Sequence, residues 1–312
     1  MMVLSSDVFQ QYWQTQSSGT TNRQRVNEAL FLESKISLPS IDFQAKILKA
    51  YNAAIKKADE TEVQAVGLRK KIQDYLLARL EATFESSRLY GLMGIASYKS
   101  LSRWDPSYLS SKIRLASSYP IVAMSSVLNH VLTDKNGKSL RRNTRDENGT
   151  IYQYVGMENI EKDTGIPTHR EVQGCEISSQ TFWVPPDFII YGKLRPYLNK
   201  YWENSAGDPD IICSSEFLVF DTKNIERRYF LNIVSSVIIQ QQLPSLYSGA
   251  RMPRITEDDF GGLQIPLPPM DVQNEISNQI DVIRGKAEVL LNQANCLRQY
   301  AKREFEEAVF GG

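Results

Sequence analysis

The chain has 312 residues, with 36 Lys/Arg set against 36 Asp/Glu, and is 42% hydrophobic and 23% charged. That balance belongs to a soluble globular protein and excludes a disordered chain, a collagen-like chain and a highly basic nucleic-acid coat. No apolar run reaches the ~18–20 residues needed to span a bilayer, and the stretch from Met1 to Trp13 lacks the basic and apolar regions of a signal peptide.

In chain order, residues 1–37 hold a Gln-rich segment, a Ser18-Gly19 loop and the stretch from Arg25 to Leu38. The next segment, 38–84, opens on Leu38-Pro39 and then turns helical. Asp42 sits where an N-cap or first-turn carboxylate meets the positive end of a helix. From there to Ala82 there is no proline, and apolar residues such as Ile47, Tyr51, Ala54, Ala58, Ile72, Leu76 and Leu80 recur at three-and-four spacing.

The same pattern returns at the other end of the chain, 229 residues later. Arg25, Glu28, Phe31, Ile36, Leu38, Pro39, Asp42, Gln44 and Ile47 face Arg254, Glu257, Phe260, Ile265, Leu267, Pro268, Asp271, Gln273 and Ile276. Lys57, Ala58, Gln64, Ala65, Leu68 and Arg69 continue the match at Lys286, Ala287, Gln293, Ala294, Leu297 and Arg298. Residues ~8–82 and ~238–311 are therefore two copies of one structural unit. A continuous helix of about 40 residues is ~60 Å long and needs a partner of similar length. The simplest partner is the other copy, in an intramolecular antiparallel coiled coil; the plainer alternative is two helix hairpins broken near Asp59–Glu62 and at Gly285.

Residues 85–262 differ in character. Short apolar runs bounded by turn signals, at 119–123, 187–191 and 216–220, predict strands of a mixed sheet. The stretches 133–139 and 146–150 predict loops or hairpins, and Arg227 to Gln242 predicts an amphipathic helix. The expected class is α+β: one globular mixed α/β domain flanked by two long helices pairing as an antiparallel coiled coil.

Charge separates along the chain. Residues 85–254 hold 20 Lys/Arg against 17 Asp/Glu, net +3, which leaves 16 against 19, net −3, elsewhere. The basic residues cluster as Lys135, Lys138, Arg141, Arg142 and Arg145 around Asn143, then as Lys193, Arg195 and Lys200 interleaved with Tyr197 and Asn199. A third group, Arg251 and Arg254, follows Ser248. Basic groups of this kind offset phosphates, while Arg, Asn and Tyr can address base edges; a solvated loop or strand face is the plainer reading.

Catalysis is disfavoured. No Asn/Asp-Pro-Pro-Tyr/Phe element is present, the nearest being Val184 to Asp187, and Leu132 stands where a phosphate-binding loop ending at Gly137-Lys138-Ser139 requires its first glycine. His130 and His169 have no partners at ligand spacing and read as structural. Cys175, Cys213 and Cys296 are far apart without a CxxC, as expected of reduced, buried thiols in a cytoplasmic protein.

Four elements in order, Arg103 to Tyr108, Gly192 to Lys200 with Ser214 to Phe217, Tyr247 to Ile255, and Ile265 to Gln273 leading into a long helix, resemble the specificity subunit of Type I restriction–modification enzymes. The resemblance implies a non-catalytic subunit that brings modification (methyltransferase) subunits, and through them a restriction subunit, to double-stranded DNA. It implies no cofactor on this chain, with S-adenosylmethionine held by the methyltransferase subunit, and no membrane. This chain departs from the family pattern of two recognition domains. It carries helical spacers at 38–84 and 263–312 around one target recognition domain at 85–262, and 1–37 is similar to the closing tail of another. It thus looks like a half-sized or circularly permuted form, and a homodimer would restore two-fold symmetry. The resemblance places base readers at Arg195, Tyr197 and Asn199, with phosphate contacts at Lys193 and Lys200. The next candidates are Lys138, Arg141, Arg142, Asn143 and Arg145, then Ser248, Arg251 and Arg254. The rival reading is a coiled-coil regulator or decoy that binds modification subunits without reading DNA.

Overall fold

The computed structural model describes residues 3, 6–16, 28–33, 38–86, 113–144, 149–168, 170–177, 179–247 and 252–310. In chain order, helices α1 (Asp7–Gln16), α2 (Glu28–Glu33) and α3 (Ile41–Arg79) precede strands β1 (Thr83–Ser86), β2 (Ile113–Ala116), β3 (Ile121–Ala123) and β4 (Leu128–Asn129). Then come β5 (Arg141–Arg142), β6 (Ile151–Val155), β7 (Arg170–Gln173), β8 (Thr181–Trp183) and β9 (Ile189–Gly192). Strands β10 (Tyr201–Glu203), β11 (Ile211–Ser214) and β12 (Phe217–Thr222) lead to α4 (Arg227–Val234), α5 (Val237–Gln240), α6 (Glu257–Gly261), β13 (Gln264–Pro266) and α7 (Met270–Phe310). The class is α+β with a long helix in each half of the chain. Both long helices run unbroken, through Gly67 and Gly285 respectively.

The repeat seen in the sequence has a structural counterpart. Helices α3 and α7 begin at Ile41 and Met270, and α2 and α6 at Glu28 and Glu257, each pair 229 residues apart. Asp42 and Asp271 each lie in the first turn, one residue inside the helix. Ahead of them stand Pro39 and Pro268, outside the helix, where a residue without an N–H costs nothing.

The chain divides into two compact units, residues 1–72 with 281–312, and residues 73–280. In the first, α3 and α7 meet at two places, in antiparallel order. The Tyr51 and Phe305 rings meet edge to face at 6.0 Å, and Arg298 reaches Asp59 at 2.8 Å and also bonds Glu62. Ala58 and Ala65 on α3, and Ala287, Ala294 and Ala301 on α7, are buried at seven-residue spacing. Helix α1 is held through Lys302 to Asp7 and through the Asp7 N–H to Glu306, while Phe9 packs against Phe31.

The second unit has two larger sheets beside the two-stranded pairs β1-β2 and β13-β3. One has the order β10-β9-β12-β4, all antiparallel; the other, β5-β8-β11-β6-β7, is mixed, with β6 and β11 parallel. A core of Val155, Phe182, Ile190, Ile211, Phe217 and Val219 draws on both sheets. The opposite face of β9 and β12 is covered too: Tyr191 and Phe220 pack against Phe260 of α6 with tilted rings, and Phe220 meets Phe230 of α4 edge to face. The strands expected at 119–123, 187–191 and 216–220 are β3, β9 and β12.

Two expectations are corrected. The helix expected over Arg227 to Gln242 is two helices. Ser235 Oγ donates back to the Leu231 carbonyl at 2.8 Å, and Ser236 Oγ accepts from the Ile238 N–H, re-capping the chain as α5. Local side-chain bonds of this kind compete with the helix ladder. The cysteines are free thiols, but only Cys213, on the central strand β11, is buried; Cys175 and Cys296 are exposed.

In this unit the first turns of α7 are tied to α4. Glu226 caps α4 by accepting from the Tyr229 N–H at 2.6 Å, and it also accepts from Ser277 Oγ at 2.8 Å. Its own backbone N–H donates to Gln273 Oε1 at 2.7 Å. Burial pushes the Glu226 carboxyl up, but the bonds from Ser277, Tyr229 and Arg228 outweigh it and hold the group below the ordinary carboxylate range. The end of α3 joins the same region: Arg79 forks onto Glu275 at 2.8 and 3.1 Å and donates to Tyr119 Oη at 2.6 Å.

Candidate nucleic-acid interface

The loop joining β9 to β10 is fixed at every step. The Lys193 N–H donates to the Glu216 carbonyl at 2.8 Å, the Arg195 N–H to the Pro253 carbonyl at 2.7 Å, and the Ile255 N–H to the Lys193 carbonyl at 3.2 Å. Leu194 and Arg254 form a bridge. Three segments far apart in sequence, 193–195, 214–216 and 253–255, therefore converge on one edge.

Beyond that edge the chain makes a single turn of 3-10 helix, Pro196–Leu198, flanked by two residues in left-handed backbone, Arg195 at φ 49° and Asn199 at φ 48°. Asn tolerates this conformation; Arg does so only at a cost. The turn is held in place, since Asn199 Nδ2 donates to the Ser235 carbonyl at 2.8 Å. Arg195 and Tyr197 project from it, exposed, with the Tyr197 ring edge-on to Tyr247 at 6.4 Å.

The structure separates the residues expected here. Asn199 is 3% exposed and spends its amide inside the domain, so it anchors the turn and does not face a groove. Lys200 is half-buried and bonds the Met157 carbonyl, and burial pushes its ammonium below the usual lysine range. Lys193 is half-buried, its Nζ 5.9 Å from the centre of the Phe182 ring. Arg254 is paired: its Nε and Nη2 reach the two oxygens of Glu216 at 3.1 and 2.8 Å. The hydrogen bond from Arg254 holds the Glu216 carboxyl below the ordinary range against the opposing effect of burial, with the charge of Lys193 adding to it.

The second basic group lies along β5, the edge strand of the five-stranded sheet. Lys138, Arg141, Arg142 and Asn143 are all exposed. The turn before it is set by Asp134, whose Oδ1 accepts from the Asn136 and Lys138 N–H groups at 2.8 Å, and by Gly137 at φ 78°; a side chain resists that dihedral. Arg142 lies over Trp183 at 5.5 Å. Since Phe182 and Trp183 are consecutive on β8, their side chains take opposite faces, so Arg142 and Lys193 do not join one patch through this strand. Arg145, Ser248, Arg251, His169 and the stretch 103–108 lie outside the described residues.

Reasoning from the sequence missed Glu216 as a partner and Tyr247 as the second ring beside Tyr197. Both fall within motifs that were recognised, but their pairing depends on contacts across 38 and 50 positions. Around Arg254 and Glu216 is a cleft of about 640 Å³ whose charged lining is Lys193, Glu216, Arg254, Glu257 and Asp258.

These segments fall within a family match. The model of the Type I restriction modification DNA specificity domain covers residues 122–289, more than half of the chain, and the chain belongs to that family. Among curated proteins, the Type I restriction enzyme EcoDI specificity subunit of Escherichia coli is 25% identical over 107 residues. That alignment takes in 34% of this chain and 23% of the relative, so the chain spans about a quarter of the length of the curated relative it matches. Solved structures with likeness include one on complex assembly and conformational transition of the type I R-M system, at 23% identity, 62% of this chain, 48% of that one and a TM-score of 0.47. The HsdS subunit from Thermoanaerobacter tengcongensis matches at 15% identity, 99% and 69% coverage and a TM-score of 0.41. The Type-I restriction-modification system S subunit from M. genitalium matches at 15%, 99% and 71%, with a TM-score of 0.47. Among the described residues no helix is long and apolar enough to cross a membrane.

Proposed function

We propose that this chain is a non-catalytic DNA sequence-specificity subunit of a Type I restriction–modification complex. In this reading its recognition domain, 85–262, reads a half-site in double-stranded DNA, and its helical spacers, 38–84 and 263–312, dock modification subunits. The restriction subunit joins through the complex, and S-adenosylmethionine is held by the methyltransferase partner in the cytoplasm. Residues 1–37 are the closing tail of a second recognition-type unit.

The observation that carries the reading is the turn at 195–199. It presents Arg195 and Tyr197 to solvent from a backbone anchored on both sides, and a reading side chain gains from having its geometry set before DNA arrives. Lys138, Arg141, Arg142 and Asn143 supply the second contact surface, with phosphates as their main partners. Arg145, and then Ser248 and Arg251, are further candidate DNA contacts in this reading.

The antiparallel order of contacts between α3 and α7, with buried alanines repeating every seven residues, supports a coiled coil of close-approaching helices. Such a pair acts as a ruler between half-sites. Two copies of the chain with modification subunits would read an interrupted palindrome, protein symmetry matching DNA symmetry.

Affinity capture of modification subunits by this chain, followed by sequencing of methylated sites, tests the proposal. A single bipartite methylation motif that appears only when this chain is present is the expected result. Capture of the methyltransferase with no sequence-dependent methylation would instead favour a regulator that binds modification subunits without reading DNA.

A further inference from the structure

We infer that Arg254 and Glu216 act together as a composite reader of one G·C base pair, Arg254 addressing the guanine acceptors and Glu216 the cytosine amino group. The inference rests on the DNA-reading role proposed above and assigns within it what these two side chains recognise.

The two groups lie side by side in a bidentate fork, Nε to Oε2 at 3.1 Å and Nη2 to Oε1 at 2.8 Å. A planar guanidinium beside a carboxylate sets donors next to acceptors. The major-groove edge of a G·C pair is the complement: guanine O6 and N7 accept, and the neighbouring cytosine N4 amino group donates. An A·T pair puts its amino group in the middle of the edge and does not match that order. A guanidinium carries five N–H donors and a carboxylate about four acceptor sites, and the fork itself uses two of each.

The surroundings disfavour the simpler assignment of Arg254 to a phosphate. The cleft around the pair holds Lys193 and Arg254 against three carboxylates, Glu216, Glu257 and Asp258, so its charge opposes the DNA backbone. The pair is also placed by main chain: Glu216 through the Lys193 N–H, and Arg254 through its bridge with Leu194. Its side chains remain 46% and 30% exposed. An exposed pair contributes little stability by itself, so sharing its groups with a base edge costs little.

The test uses the full chain assembled with its modification subunits and a library of duplexes with randomised sequence. Wild type, Glu216→Gln, Arg254→Ala and Arg254→Lys are compared for selected sequence and for the salt dependence of binding. One G·C position should relax in all three variants, with preference there falling roughly 5- to 150-fold, the remaining positions kept and the salt slope unchanged. Arg254→Lys keeps the charge but not the fork, so it should stay relaxed. A uniform loss of affinity with a salt slope smaller by about one unit in Arg254→Ala, restored by Arg254→Lys, would make Arg254 a phosphate contact and overturn the inference. Unchanged selection in Glu216→Gln would overturn it as well. If wild type selects no sequence, it is the DNA-reading role that fails, and the pair's role falls with it.

Discussion

Gln273 folds its side-chain amide back to the carbonyl of Pro268 at 2.7 Å, and 229 residues earlier Gln44 makes the same bond to Pro39 at the same distance. The Leu-Pro-x-x-Asp-x-Gln element thus builds a helix start twice. The glutamine satisfies a carbonyl before the helix, and the aspartate sits in the first turn, at the positive end of the helix. The copies differ in setting. Gln273 is 2% exposed and also accepts the Glu226 N–H, whereas Gln44 is half-buried.

Gln273→Ala should therefore destabilise the protein by about 1–3 kcal/mol, because it strips the partner from the Glu226 N–H and from the Pro268 carbonyl. Gln44→Ala should cost less, within about 1 kcal/mol. Urea unfolding of the two variants checks this, and equal losses would contradict the asymmetry.

Glu226 sets part of the acid sensitivity. Its carboxyl is held below the ordinary range in the folded chain, so the stability it contributes is present above the unfolded carboxylate pKa of about 4.5 and is lost as pH falls through the lower folded value. Glu226→Gln should lower stability at neutral pH and flatten its decline below pH ~4.5. Thermal melts across pH 3 to 7 show this as converging curves.

Arg195 combines an exposed side chain with a left-handed backbone. Arg195→Gly should leave stability unchanged or raise it by up to about 1 kcal/mol, since glycine adopts φ 49° without strain. Arg195→Ala keeps the strain. Both should lose about 1–3 kcal/mol of discrimination at one base pair if the side chain reads a base. Band shifts with matched and mismatched duplexes separate the two effects, and discrimination intact in both variants would remove Arg195 from the reading set.

The buried alanines leave no room for a larger side chain at their positions. Ala294→Leu should cost about 1–3 kcal/mol by overpacking, while Val289→Ala, at a position 56% exposed, should stay within about 0.5 kcal/mol. Calorimetry on the intact chain compares them.

If the helices are the ruler between half-sites, removing one heptad from each keeps the alanine register and shortens the span by about 10 Å. The gap between methylated half-sites should then shrink by about 3 base pairs. Methylation-site sequencing reads the gap directly, and an unchanged gap would show that other elements set it.

The long helices, their starts and the correspondence of the two repeated elements were legible in the sequence because periodicity and capping are local. Asp42 and Gln44 carry their roles within one turn of their own positions. The strands at 187–191 and 216–220 were legible for the same reason, as apolar runs between turn residues. The break between α4 and α5 was not, because it turns on which way the Ser235 and Ser236 hydroxyls bond. The recognition surface was legible only as basic composition. Lys193, Arg195, Asn199, Lys200 and Arg254 look alike as polar residues in a loop, yet the fold buries Asn199, engages Lys200 with the Met157 carbonyl, sets Lys193 over Phe182 and pairs Arg254 with Glu216. Those outcomes depend on burial and on partners dozens of residues away. The sequence by itself determined the two long helices, the strands at 119–123, 187–191 and 216–220, and that the chain repeats one unit, because those signals are local; only the tertiary structure decided which cations are engaged inside the domain and which, like Arg195, face outward.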